Sequence, residues 1–376
     1  MKLRNTYYIL LALAMPLMFT SCEEDIPESR YDEAAESYAA LVLDSYQDSY
    51  DEAATLKGLI DDFVANPSAA GLEACKEQWL KARVPYGQTE AYRFYGGPID
   101  DEDGPEGLIN AWPMDENFID YVEGDATTGL INDPTTYPTI TKELLVSLNE
   151  EISEESIFTG YHAIEFLLWG QDLYANSAGL RPYTDYVTDG TGTASNQARR
   201  AQYLTIVADL LLDHLNEVKA EWEANGAYRA TFLGLSKNEV ITNVFTSLGE
   251  LSKGELSGER MFVAVDSKDQ ENEHSCFADN TNSDIVQNFQ GLVNVYTATY
   301  NGKDFGESYA DIAADIDEEK AQAVTDAIEE ARTKINAIPS PFDQAILNDA
   351  QTILDAVTAL ENLSDAFADV EVELKK

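Results

Sequence analysis

Apolar residues recur at three- and four-residue spacing along most of this chain, and no stretch alternates apolar with polar convincingly enough to form a strand. A chain patterned in this way folds by burying helical stripes against one another, so the fold class is all-α. From Tyr31, "YDEAAESYAALVLDSYQDSYDEAATLKGLIDDFVANP" carries alanine and leucine on one face, and Asn66–Pro67 ends it. "AAGLEACKEQWLKARVPYGQTEAYRF" predicts a second helix, which Pro85 should kink or restart. An irregular, Pro-, Gly- and Asp-rich region follows from Gly96 to Thr139, and a loop this long is often functional. Helices resume with "ITKELLVSLNEE" and "SIFTGYHAIEFLLWGQ". The polar stretch "TDGTGTASNQ" at 188–197 is the best domain boundary, and five further helical segments lie beyond it. The expectation is two helical bundles in series, residues 31–190 and 197–376. No short-period repeat is visible, and an ancient duplication of one bundle is compatible with this layout.

The first 21 residues read as a lipoprotein signal peptide: Lys2 and Arg4, then the apolar run "YYILLALAMPLMF", then "TSC". Cys22 is the expected lipidated first residue of the mature chain, although Phe19 stands where a bacterial lipobox has leucine; ordinary cleavage nearby is the alternative. "EED" after it resembles the export signal of surface lipoproteins in Bacteroides-type bacteria, and residues 22–30 form an acidic tether. A lipid-anchored protein of the cell envelope, held at the outer membrane and surface-exposed or facing inward, is expected. The net charge of −45 excludes nucleic acid as a partner, since too few cations exist to neutralise phosphates. Cys75 and Cys276 are expected as buried free thiols.

Polar residues inside apolar helices are the candidates for chemistry. Within "GYHAIEFLLWGQD", helical geometry puts His162, Glu165, Phe166 and Trp169 on one face of a segment that is apolar nearly all round. A buried Glu165 needs compensation from His162, an arginine or a metal ion. The spacing matches half of a bundle metal site, in reverse order. It is not a zincin motif, because Phe166 stands where the second histidine would be. Elsewhere, Arg83 and Glu90 fall seven residues apart, on nearly one face, and are read as a bracing ion pair or as an arginine holding a ligand or base. Glu259 and Arg260 follow Gly258 near a helix end. His274 and Asp279 lie in "EHSCFADNT", and Thr281 with Asp284 resembles a capping box. His214, among leucines, reads as core or partly exposed, and "DDEDGPEG" as a solvated acidic loop. Phosphate loops, Gly-x-Ser-x-Gly elbows and Cys-x-x-Cys pairs are absent from the sequence.

Taken together, "GYHAIEF" (Gly-x-His-x-x-Glu), "RVPYGQTEAYRF", "GELSGERM" and "EHSCFADNT" resemble segments of the imelysin family, in the same order. The resemblance implies two all-helical domains with four-helix-bundle cores and a cleft near their interface. It implies that His162 and Glu165 are metal ligands and that Arg83, Glu90, Glu259, Arg260, His274 and Asp279 line the cleft; Glu90, as the ligand its own spacing from Arg83 offers, is a further metal candidate. Iron or zinc is the implied metal. A role in iron uptake is implied, binding a metal ion or an iron complex, with an outer-membrane transport receptor as the expected partner. The family was named for a proposed metallopeptidase. An extracellular metallopeptidase, or a surface interaction protein with a structural His–Glu pair, stands as the alternative.

Overall fold

In a computed structural model, residues 26–376 are described. Cys22 and the expected signal peptide lie outside these residues. The elements in order are α1 (Glu28–Ala65), α2 (Ala69–Thr89), α3 (Glu106–Ile109), α4 (Lys142–Leu148), α5 (Gly160–Trp169) and α6 (Gln197–Trp222). Then come α7 (Ala227–Leu233), α8 (Lys237–Gly249), a π-helix (Glu250–Phe262), α9 (Val263–Ser267) and α10 (Thr281–Thr297). A two-stranded hairpin, β1 (Thr299–Tyr300) and β2 (Lys303–Asp304), precedes α11 (Tyr309–Ile316), α12 (Glu318–Ile335), α13 (Phe342–Asn348) and α14 (Ala350–Leu374). The all-α expectation holds. Among the described residues, no helix is long and apolar enough to cross a membrane.

Helix α1 begins at Glu28, so the last residues of the expected tether are helical. Arg30 anchors that end by pairing with Glu307 at 2.6 Å and Asp315 at 2.5 Å. The α1 stripe of Tyr31, Ala34, Tyr38, Val42, Tyr46, Ala53, Leu56, Ile60 and Phe63 is buried, which follows from its helical spacing. Ser68 caps α2 by accepting from Gly71 N–H. The helix then runs through Pro85 to Thr89 instead of restarting there, and tightens into a 3₁₀ turn at Glu90–Tyr92.

Two packed groups result. Helices α1, α2, α5 and α6 pack together, and the π-helix, α8, α10, α12 and α14 form the second group. Helix α6 was expected to open the second bundle, but it packs on α1 and α5, so the 188–197 loop joins elements of the first. The groups meet where α2 packs on α10. Gly291 allows that approach: a Cβ there would stand 2.4 Å from the Gln88 carbonyl oxygen. Cys75 and Cys276 are both buried and free.

Candidate functional site

Helix α5 is buried on every side, as its composition requires. Its first residue, Gly160, has φ +82°, and a Cβ there would lie 2.4 Å from the Ile109 carbonyl oxygen. Glycine therefore lets α5 begin directly against the segment carrying Asn110 and Trp112. One turn in, His162 Nδ1 lies 2.8 Å from Glu165 Oε2, and both residues are fully buried. Glu165 Oε1 accepts from the Ala278 N–H at 2.9 Å, which clips the 270–280 loop onto α5. Burial pushes the Glu165 carboxyl well above the carboxylate range, and burial with nearby His274 and Arg83 pushes His162 well below the usual imidazole value. Both shifts favour the uncharged forms, a carboxylic acid beside a neutral imidazole. His162 Nε2 is buried without a protein partner.

Around this pair lies a charged lattice that joins both helical groups. Arg83 on α2 pairs with Asp284 on α10 at 3.2 Å and donates to Asn110 Oδ1 at 2.5 Å. His274 Nδ1 lies 3.2 Å from Asp284 Oδ2, and Ser275 also donates to that carboxylate. Burial opposes ionisation of Asp284, but Arg83 and His274 outweigh it and hold the carboxyl far below its ordinary value. Burial and Arg260 push His274 down to about 4, so it is neutral at pH 7. Asp284 was expected only to cap α10. The helix has no side-chain cap there, because its carboxylate serves Arg83 and His274.

Glu90 belongs to a second knot. It accepts from Arg93 at 2.7 Å, Arg260 at 2.8 Å and Asn110 at 3.2 Å. Burial disfavours its charge, yet Arg260 and Arg93 hold it ionised, at about 2. The expected Arg83–Glu90 pair does not form directly, since Asn110 stands between the two side chains. Arg260 also donates to Glu255 at 2.8 Å and Asn288 at 2.5 Å. The π-helix explains the Glu255–Arg260 contact. Residues five apart diverge by about 140° on an α-helix, whereas i→i+5 hydrogen bonding stacks them.

A cleft of about 330 Å³ opens in front of this lattice, lined by Arg93, Glu106, Asn110, Ala111, Trp112, Pro113, Glu150, Glu255, Glu259, Arg260, Val263, Asn272 and His274. The expected residues Glu259, Arg260 and His274 line it. Arg83 and Glu90 lie behind it, almost fully buried. Asp279 does not line it: it sits on a turn at φ +53°, where burial, Asp172 and Asp343 raise its carboxyl to about 7. His162 is one side chain back, its ring 4.8 Å from both Trp112 and His274. Asn110, Trp112, Glu106 and Glu255 were not among the expected site residues, and Asp284 was expected in another role. An aromatic residue inside a long polar loop, "NAWP", was the one available signal for Trp112.

As a resident metal site the set does not fit. Glu90 is saturated by arginines and does not join His162 and Glu165. Among the described residues, no group of three or more His, Cys, Asp or Glu is placed to hold an ion. His162 Nε2 offers one nitrogen, buried without a protein partner.

These features define a two-bundle helical protein with a charged cleft backed by a buried Gly-x-His-x-x-Glu helix. The sequence profile of the imelysin family matches residues 42–368, and the chain belongs to that family. It is 23% identical over 342 residues to iron-regulated protein A of Synechococcus elongatus, covering 87% of this chain and 82% of the relative. The crystal structure of an iron-regulated protein A precursor from Parabacteroides distasonis superposes with a TM-score of 0.73 at 18% identity, covering 93% of this chain and 96% of that one. An imelysin-like protein from Psychrobacter arcticum superposes with a TM-score of 0.62 at 16% identity, covering 91% and 94%.

Proposed function

We propose that this imelysin-family protein serves iron uptake at the cell envelope, tethered by lipid at Cys22 to the outer membrane, and holds an iron complex in the cleft before His162. The observation that carries the reading is the cleft itself: oxygen-rich, backed by the family motif, and without three convergent donors for a bare ion. A complex brings its own donor atoms and needs only recognition. The name iron-regulated protein A, carried by the Synechococcus relative and given to the Parabacteroides precursor, supports an iron-linked role. A transport receptor in the same membrane is the proposed partner. A peptidase role is less well supported, because it needs an ionised base facing substrate. Glu165 is fully buried, burial pushes its carboxyl up, and both of its oxygens are committed.

The test is retention of iron through gel filtration after incubation with ferric complexes or with free ferric and zinc ions. Wild type should retain a complex in stoichiometric amount and free ions weakly. His162→Ala should lower retention of the complex about tenfold or more, the scale of losing an oriented site. Equal weak retention by both proteins would remove the cleft from the iron role. Chelator-sensitive cleavage of unfolded polypeptide would restore the peptidase reading.

A further inference from the structure

We propose that the cleft selects its ligand by charge, taking iron complexes of net positive charge and rejecting anionic ones, with Glu106, Glu150 and Glu259 setting the preference. This rests on the iron-complex reading above. Most of the positive charge at the cleft is already paired. Arg260 lies 2.8 Å from both Glu90 and Glu255, and Arg93 lies 2.7 Å from Glu90 and 3.1 Å from Glu106. Glu90, Glu106, Glu150, Glu255 and Glu259 are thus five carboxylates, one behind the cleft and four lining it, against two guanidiniums. Three negative charges stay uncompensated when all five are ionised. His274 adds no positive charge at neutral pH. Glu150 and Glu259 form no ion pair among the described residues. Burial raises Glu106 to about 7, Arg93 opposes the rise, and Glu90 and Glu255 reinforce it. The push from Glu90 and Glu255, smaller than that of burial, is what neighbouring negative charge produces.

The other lining groups narrow the chemistry. Trp112 Nε1 and Arg93 Nε are buried N–H donors without protein acceptors, and both residues line the cleft. Trp112, Pro113 and Val263 supply apolar wall, and an indole face attracts a cation. A matching ligand carries net positive charge. A ferric hydroxamate complex bearing an ammonium group does. A ferric catecholate complex, which is trianionic, does not.

The experiment compares three ferric complexes: a linear tris-hydroxamate with a pendant ammonium, the same complex N-acetylated and therefore neutral, and a tris-catecholate. Binding is read by the part of the tryptophan quenching that Trp112→Phe removes, and by iron retention on gel filtration. The ammonium form should bind about fivefold tighter than the acetylated form, the range of one partly exposed charge pair, and the catecholate should bind least. Glu150→Gln with Glu259→Gln, checked for folding by circular dichroism, should reduce the ammonium preference at least about twofold while keeping acetylated-complex binding. Catecholate binding equal to or tighter than the ammonium form would overturn charge selection and leave the iron reading standing. A simple organic dication that binds and loses affinity in the double variant, with no iron complex bound, would sink the iron reading and keep charge selection. Binding by none of these would overturn both.

Discussion

At the scale of single residues, the site turns on a proton. Glu165 has a raised pKa in the folded protein because burial penalises its charge. The unfolded carboxyl releases its proton near pH 4.3, about the ordinary glutamate value. Above that pH the folded state holds more protons than the unfolded one, so this residue's contribution to stability falls as pH rises. Glu165→Gln keeps the shape, can accept from Ala278 and donate to His162 Nδ1, and should cost no more than about 1 kcal/mol at neutral pH. Glu165→Ala should cost about 3 kcal/mol, because it leaves a cavity and orphans the Ala278 N–H. In denaturant titrations from pH 4 to 8, the wild type should lose stability relative to Glu165→Gln. A relative gain with pH would mean that the folded carboxyl is ionised. That Glu165 would be buried and need a partner was legible in the sequence, since the helix around it is apolar. That its second oxygen would bind the Ala278 N–H was not, because 113 residues separate them and no local pattern records the contact.

At the scale of elements, the site exists because α2, α5, α10 and the π-helix hold fixed mutual positions. Helical spacing revealed most of these elements. It did not reveal the π register, because "GELSKGELSGERMF" has acceptable α-helical composition and the contacts of Arg260 with Glu90 and Asn288 join residues 170 and 28 positions apart. Nor did it show where Asp284 would go. A capping box and a buried ion pair use the same residue type at the same place, and only packing decides between them. The contact of α2 with α10 gives this scale its prediction. Gly291→Ala puts a Cβ against the Gln88 carbonyl, and backbone cannot yield as a flexible side chain can. The helices must separate, drawing Arg83 away from Asp284 and Asn110. Overpacking of this kind costs about 2–3 kcal/mol. Iron-complex binding should fall along with the melting temperature. A variant melting like wild type would show that α2 and α10 do not pack this closely.

For the whole molecule, the arrangement of two helical groups was readable from periodicity and the Gly/Thr-rich stretch, but the partition was not. Helix α6 follows that stretch yet returns to pack on α1 and α5. Its apolar stripe states that it must be covered and carries no record of which neighbour covers it. Charge, by contrast, is fully given by composition, and its consequence is global. Sixty-nine acidic residues against 24 basic ones leave a net charge of −45. The internal ion pairs use up most of the arginines, so the self-repulsion falls on a surface dominated by carboxylates. Salt screens that repulsion over a Debye length of about 8–10 Å at physiological strength, and the length shortens as salt is added. The unfolded chain spreads the same charges farther apart, so screening favours the folded state. Raising sodium chloride from about 0.02 to 0.5 M at pH 8 should lift the melting temperature by about 2–4 °C, the shift that about 1 kcal/mol produces in a large domain. At pH 5, where exposed carboxylates begin to take up protons, the same addition should do less. An equal rise at both pH values would show that the salt acts through preferential exclusion, leaving the acidic surface without a measurable cost to stability.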